Sequence, residues 1–550
     1  MKDKLKLFYL VLFVLALLVN LAGINVNFFT DDPGLYASIA KNLVYKKDFL
    51  QLFTYNQDWL DKPHFPFWMV YFSFKAFGIS VWAYRLPGLI FFMLGMLYTW
   101  LFARKFYGAE IAIIAVLILM TAQYALMGNV DVRAEPYLIA LIIGSIYHIS
   151  YLEERFSYTH LLLAALLTAC AIMTKGIFVI TAIYGGLLGQ LIFQKKFKSL
   201  FSFKFIALFV LTFIFTLPEF YALYVQFDLH PEKLVFDRHN VSGIKWFLWD
   251  SQFGRFVNTG PISHKAGGDL FFYGHTLLWA FAPWCLLFYY AVYKRLGDIF
   301  KKRSRAEYYT LSGGLLLLLL FSLSRFQLPF YTNAIFPLFA IIMAPYCYRQ
   351  LSKWGTIYRS VSLWIYLLLF PIAILVMNYF LKPADNLFLI IDCVVFIALV
   401  LWIATQIKQP GQKVFLLTCS AALFANFYLN TVFYPVLASY NGQISAAGYV
   451  NQPQFTGLHI YSLKKENNIF QFYTQKPVGY IPLEQFNGLK PDSNSVFFAT
   501  QLSMDYLIQS HATFKVVQSF QNYPLERIEP VFINKATRYK LLDKVYLIRR

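Results

Sequence analysis

The chain has 550 residues, of which 59% are hydrophobic and only 14% charged; soluble globular proteins carry about 25% charged residues, so the composition excludes that class and indicates a polytopic membrane protein. Its net charge of +20 falls in short basic clusters between apolar runs, the pattern that sets membrane orientation, and no basic and aromatic module for nucleic acid stands out. The five cysteines (Cys170, Cys285, Cys347, Cys393 and Cys419) lie in or beside apolar runs without a CxxC, which excludes a disulfide framework and leaves them as small packing residues.

The basic tail Met1–Lys6 is expected to stay cytoplasmic. The apolar run Leu7–Phe29 is long enough to cross a bilayer and lacks a small-residue cleavage site, so it reads as a retained first span that delivers Asp31 and Asp32 outside. In 33–78, Ile39, Ala40, Leu43 and Val44 recur at helical spacing opposite Lys41, Lys46 and Lys47, the pattern of a helix on the membrane surface. Apolar runs then alternate with polar breaks. Spans are predicted at 81–102, 111–127, up to 153–155, 161–173, up to 195–198, 205–221 and up to the basic cluster 294–305. Further spans lead to 324–329 and to Arg349, form a hairpin about 382–385, and close with 414–436. The total is about 13 transmembrane helices. The basic clusters share one side, so the C-terminus is expected outside. Residues 1–440 thus form a mainly α transmembrane domain with external loops 30–80 and 222–270. Residues 441–550 are mixed and polar: Leu458–Leu463, Val496–Thr500, Lys515–Val517 and Tyr546–Ile548 read as strands and Met504–Gln509 as a helix, a small external α/β domain.

Three isolated cations, Lys62, Lys175 and Arg325, sit in turns predicted to be external. Either they snorkel to the interface, or they meet an anion, for which a phosphate is chemically apt. Asp31, Asp32 and Asp131 come from successive external turns and can converge. A carboxylate there suits a general base for sugar transfer with inversion, whereas Asp31-Asp32-Pro33 also suits the start of a helix. Asp61 with a histidine such as His64, His230, His239, His264 or His275 could hold a divalent ion, although no HxxxH spacing singles one out. Trp246–Phe256 reads as an interfacial aromatic belt or as the flank of a lipid entrance.

Taken in order, Asp31-Asp32-Pro33-Gly34-Leu35-Tyr36-Ala37, Trp59-Leu60-Asp61-Lys62-Pro63 and Arg85-Leu86-Pro87 resemble the opening of the aminoarabinose transferase (ArnT) and bacterial protein-mannosyltransferase group. Asp131, Thr174-Lys175-Gly176, Trp249–Phe256 and Leu328-Pro329-Phe330-Tyr331 continue the resemblance over about the first 340 residues. It implies the GT-C fold and an inverting glycosyltransferase that takes a sugar from a polyprenyl-phosphate donor on the outer face of the bacterial inner membrane. The acceptor would be a lipid of the lipid A kind or another envelope molecule. It further implies Asp32, with Asp31 beside it and Asp131 as a second acid, in the catalytic role. Lys62, Lys175, Arg325, Arg255 and Tyr331 would face the donor phosphate. Asp61 and His264 would be the ligands of a divalent ion (Zn or Mg), with Asp in place of the expected Glu. Leu35 stands where ArnT has Arg, so aminoarabinose itself is not implied. A monomer is expected. The alternatives are a protein O-mannosyltransferase and, from another class, a transporter or flippase of lipid-linked sugars, for which internal repeats and polar residues within spans would be the sign.

Overall fold

The structure, a computed structural model, describes residues 2–55, 57–263, 268–303, 306–348, 350–492, 494–523 and 528–550. Helix α1 (Lys2–Ala22) ends seven residues before the predicted Phe29. The reason is local: a Cβ on Gly23 would stand 2.4 Å from Val130 Cγ2, so the chain passes close to a neighbouring turn and leaves the helix. Residues 23–30 run on without helix to α2 (Asp31–Lys46), the predicted surface helix. Ile39, Ala40 and Leu43 are buried as its periodicity requires, but so is Lys41, expected on the opposite, solvated side.

A short hairpin, β1 (Phe53–Thr54) with β2 (Gln57–Asp58), precedes α3 (Phe65–Phe77), which carries Pro66 in its first turn. Then come α4 (Val81–Tyr107), α5 (Ala109–Thr121) and α6 (Gln123–Val130). The predicted third span is in fact the pair α5 and α6, bent by 56° about Ala122. The Gln123 amide freed at the bend donates to the Ala282 carbonyl at 2.9 Å. Helices α7 (Glu135–Glu154) and α8 (Tyr158–Lys175) pack together, and α7 also packs on α4. After α9 (Ile180–Phe193), helix α10 (Phe203–Leu223) runs on through a wider turn to Asp228, so the second long loop opens later than 222. The predicted eighth span is broken into Phe272–Ala280 and Cys285–Phe300.

Among the described residues, eight helices are long and apolar enough to cross a membrane, or nine when α5 and α6 count as one broken span. The other predicted spans also fold as helices: α7, α9, Cys285–Phe300 and Tyr309–Leu323. The fold is thus mainly helical and polytopic, with eight or nine spans met by length and apolarity and not the full thirteen.

The C-terminal residues build a five-stranded sheet from β3 (His459–Ser462), β4 (Val478–Tyr480), β5 (Ser495–Thr500), β6 (Lys515–Asn522) and β7 (Asp543–Arg549). The order is β4-β3-β5-β7-β6, with β3 parallel to both neighbours and β7 antiparallel to both of its own. The alternation of β5 serves two cores: Val496 and Phe498 pack with Phe470, while Phe497 packs with Phe486 and Leu507.

This sheet unit is clasped to α2. The Lys41 ammonium donates to the carbonyls of Gln471 (2.9 Å), Phe472 (3.0 Å) and Thr474. Ser38 Oγ donates to the Asn468 carbonyl at 2.9 Å. Gly34 has Ile469 where its Cβ would be: Cγ1 would lie at 2.6 Å and the Ile469 backbone nitrogen at 3.2 Å. The glycine of the first motif is therefore a contact with the C-terminal unit.

Candidate active site

Two acidic turns are brought together by one buried arginine. Arg85, in the first turns of α4, donates from Nε to the Val130 carbonyl at 2.7 Å and from Nη1 to the carbonyls of Ile24 (2.9 Å) and Val26. It so joins the segment that enters α2 to the end of α6. Asp32 and Asp131 face each other across Arg133 as a result. Arg133 Nη1 lies 2.5 Å from Asp32 Oδ2, and Nη2 lies 2.9 Å from Asp131 Oδ2. Thr30 donates its hydroxyl to the other Asp131 oxygen.

Burial alone would lower the Arg133 pKa, but Asp131 and Asp32 outweigh it and raise it. Asp131 is 8% exposed and committed on both oxygens, whereas Asp32 is 43% exposed. The helix-start reading is met in part. Asp31 and Asp32 do occupy the first turn of α2, where negative charge suits the helix dipole, but the cap is Thr30 and its side chain is spent on Asp131. Asp31 lies on this turn near Tyr55.

A second cluster adjoins the first. Asp61 receives Lys62 Nζ at 2.9 Å on one oxygen and Arg255 on the other. Burial works to raise the Asp61 pKa, and the charges of Lys62 and Arg255 overcome it and hold the carboxyl below its ordinary value. Lys62 is pushed down by burial and by Arg255, with Asp61 opposing.

Lys175, at the end of α8, pairs with Glu135, the first residue of α7. Its ammonium also sits over the Tyr331 ring at 4.0 Å. Gly176 follows at φ +111°, and a Cβ there would meet Gln252 Nε2 at 2.4 Å, so the Lys-Gly pair is dictated by backbone and space. Tyr36 borders both clusters; burial first, then Asp32 and Asp61, raise its pKa well above the ordinary value.

Two cavities lie on either side of the Lys175–Glu135 pair. One, of about 310 Å³, is lined by Lys175, Arg255, Gln252 and Tyr331, by the hydroxyl residues Thr181, Ser251 and Ser324, and otherwise by apolar residues such as Phe178 and Phe321. The other, of about 440 Å³, is lined by Thr30, Asp131, Arg133, Glu135, Phe330 and Asn333 among others. Lys175 faces the first and Glu135 the second, so their ion pair spans the wall between the two.

Of the residues singled out in the sequence, Asp32, Asp131, Lys62, Lys175, Arg255, Tyr331 and Asp61 come together. Arg325 does not: its backbone amide bonds the Phe256 carbonyl at 2.8 Å, and its side chain is exposed outside the lining of the apolar cavity. His264 lies outside the described residues. A metal at Asp61 would have to displace Lys62 and Arg255, and the described residues hold no group of three His, Cys, Asp or Glu placed to bind one. His64 is committed elsewhere, with Nδ1 at 2.9 Å from Glu219 and Nε2 at 3.0 Å from the Leu50 carbonyl. Arg133 and Glu135 were missed as site residues. Their signal was a charge at every second position of Asp131-Val132-Arg133-Ala134-Glu135, between two apolar helices.

Residues 61–221 match the family model described as dolichyl-phosphate-mannose-protein mannosyltransferase. The chain is 25% identical over 355 residues to the undecaprenyl phosphate-alpha-4-amino-4-deoxy-L-arabinose arabinosyl transferase of Edwardsiella ictaluri, covering 64% of this chain and 60% of that protein. It is 23% identical over 363 residues to an uncharacterized protein of Aquifex aeolicus, covering 65% and 66%. The chain thus spans somewhat under two thirds of the length of these curated relatives. Its structure superposes on ArnT from Cupriavidus metallidurans bound to undecaprenyl phosphate with a TM-score of 0.73 and 16% identity, covering 92% of this chain and 96% of that one. The apo form of the same ArnT gives a TM-score of 0.72.

The fold, with eight or nine helices long and apolar enough to cross a membrane among the described residues, is that of a polytopic membrane protein. The chain is similar to ArnT in sequence over its matched segment and in fold over nearly its whole length.

Proposed function

We propose that the chain is an inverting, polyprenyl-phosphate-dependent glycosyltransferase whose donor lies in the apolar cavity and whose acceptor enters the acidic one. The observation that carries this reading is the pair of cavities on either side of a wall built from paired cations and carboxylates. Apolar walls suit a prenyl chain, and Lys62, Arg255 and Lys175 suit the phosphate at its head.

In the reaction Asp32 takes the proton of the acceptor hydroxyl, and that oxygen forms a bond to the anomeric carbon. The bond from that carbon to the phosphate oxygen breaks, and its electron pair leaves with polyprenyl phosphate. The cations receive the added charge, so no protein acid is needed. Asp32 is the base because it is the exposed member of the pair, while Asp131 and Thr30 hold Arg133 in register.

The basic clusters orient the N-terminus to the cytoplasm and the C-terminal sheet to the periplasm, with about thirteen spans in all. The acceptor is a lipid of the lipid A kind, and the protein acts as a monomer. The match to a protein mannosyltransferase model favours a second reading with a peptide acceptor. A divalent ion at Asp61 and His264 is an added proposal, read out by polyprenyl-phosphate binding before and after EDTA and after return of Zn or Mg.

The test is transfer from a panel of radiolabelled polyprenyl-phosphate sugars to total membrane lipid and protein, with Asp32→Asn and Lys62→Ala alongside. Collapse in both variants, with unchanged melting, supports the reading, and the labelled fraction names the acceptor class. Undiminished transfer in Asp32→Asn refutes the assignment of the base.

A further inference from the structure

We propose that Lys175, Glu135, Arg133 and Asp32 form an ion-pair relay through which phosphate in the apolar cavity releases the base beside the acidic cavity. This rests on the donor and acceptor assignment above. In the structure each charge along the line has a partner. Lys175 is held by Glu135, and Arg133 is held by Asp32 and Asp131. Asp32 therefore has one oxygen 2.5 Å from the Arg133 guanidinium that lines the acceptor cavity, a poor state for accepting a proton.

Glu135 occupies the point where the line can switch. It is buried, stands at the first position of α7, and lines the acidic cavity together with Arg133, two residues before it. The helix N-terminus favours its negative charge wherever it turns within that cavity. Arg133 is already within its electrostatic reach.

The phosphate of the loaded donor, a monoanionic diester, competes with Glu135 for the Lys175 ammonium, and the phosphate dianion left after transfer competes more strongly. Once Lys175 turns to the phosphate, Glu135 has lost the cation it is paired with, and a buried unpaired carboxylate is costly. The nearest relief is Arg133. Arg133 cannot hold Asp131, Asp32 and Glu135 equally, and Asp32 is the member with solvent at hand, so Asp32 is let go. Loading of the donor thus unmasks the base, and in the unloaded protein the base stays masked. Glu135 is a positioning residue in this scheme, since it touches neither sugar nor reacting oxygen. Lys175 passes on the presence of phosphate, and Phe330 and Tyr331 form the rest of the wall: the Arg133 guanidinium lies 4.3 Å from the Phe330 ring and Lys175 4.0 Å from that of Tyr331.

The test uses undecaprenyl phosphate, the full chain in nanodiscs, and carbodiimide with glycinamide, which tags accessible carboxyls that peptide mass spectrometry then locates. In wild type, saturating undecaprenyl phosphate should raise tagging of Asp32 by at least about fivefold, the lower edge of ordinary coupling between sites. In Glu135→Gln, undecaprenyl phosphate should bind at least as tightly, because no ion pair has to open, and Asp32 tagging should no longer respond to it. A rise that persists in Glu135→Gln overturns the relay, as does saturated wild type in which Asp32 tagging is unchanged. Glu135→Gln that binds undecaprenyl phosphate much more weakly than wild type makes Glu135 a structural partner of Lys175 and also overturns it. Failure of wild type to bind undecaprenyl phosphate overturns the donor assignment itself and the relay with it. The wild-type comparison alone decides the matter if the variant does not fold.

Discussion

Replacing Arg85 by Met should separate the two acidic turns. Arg85 is 1% exposed, and its guanidinium donates to three carbonyls, those of Ile24, Val26 and Val130, and lies 5.4 Å from the Phe28 ring. A hydrogen bond from a charged donor contributes about 1.5–3 kcal/mol, and carbonyls left buried without a partner add a desolvation penalty of similar size. Methionine fills most of the volume, so packing is largely kept and the loss is mainly polar. Taken at the lower edge, about 1.5 kcal/mol each, and with the carbonyls' penalty offset by the desolvation of a guanidinium that methionine no longer buries, the three bonds bring the expected destabilisation to roughly 5 kcal/mol, near the upper end of single-residue effects. For a chain of this size, with an unfolding entropy of about 1.2 kcal/mol/K, that corresponds to a fall in melting temperature of about 4 °C. The assay is a tryptophan-fluorescence melt in detergent micelles, for which the chain carries 11 tryptophans. Arg85→Lys keeps the charge but not the fork, and should fall about midway between wild type and Arg85→Met. Transfer should collapse in Arg85→Met even well below its melting point, because Asp32 and Asp131 no longer share Arg133. An Arg85→Met protein that melts within about 2 °C of wild type and keeps its transfer rate would refute the idea that this arginine assembles the site.

Other expectations concern the neighbouring contacts. Gly34→Val should push the Ile469 turn off α2 and lower the melting temperature by several degrees, whereas Gly78→Ala, with nothing near its Cβ position, should show only the mild strain of a positive φ. Lys41→Met leaves three carbonyls without their donor, so limited proteolysis near residues 440–475 should be markedly faster than in wild type, and equal rates would count against the clasp. The Asp61 carboxyl is held below its ordinary value in the folded state. Its contribution is therefore full above the ordinary carboxylate range and is lost as pH falls through the folded value. The melting difference between wild type and Asp61→Asn should then be constant from about pH 6 to 8 and shrink only below about pH 4, and a change across neutral pH would contradict this.

The helix plan was legible because apolar runs of spanning length have few other solutions. The strands at Val496–Thr500 and Tyr546–Ile548 were legible for a similar reason, being short β-branched and aromatic runs between turns, whereas Val478–Tyr480 escaped notice at three residues with a central glycine. The meeting of Asp32 with Asp131 could be expected from successive turns on one side, but the agent that joins them could not. Arg85 sits inside an apolar span and bonds only to backbone, which leaves no pattern in side-chain spacing. Lys41 was misplaced for a related reason: helical periodicity assigns it to the polar face, and only the fold of residues 468–474 supplies the carbonyls that make its burial tolerable. Arg325 shows the reverse error, since an isolated cation in a polar turn was read as a ligand-facing group and the turn simply carries it outward.

The clasp between α2 and the C-terminal sheet bears on how such proteins can be shortened or recombined. Asp32 rides on a helix whose far side is fastened by Lys41, Ser38 and Gly34 to residues more than four hundred positions away. The segment entering that helix is also fastened there, with the Phe28 amide donating to the Tyr473 hydroxyl at 3.0 Å. A chain cut near Tyr440 would keep its helices and yet leave the first acidic turn without a floor. A chimera that imports the C-terminal sheet of a relative would need to import the matching face of α2 as well, so the two segments are expected to be inherited as one unit.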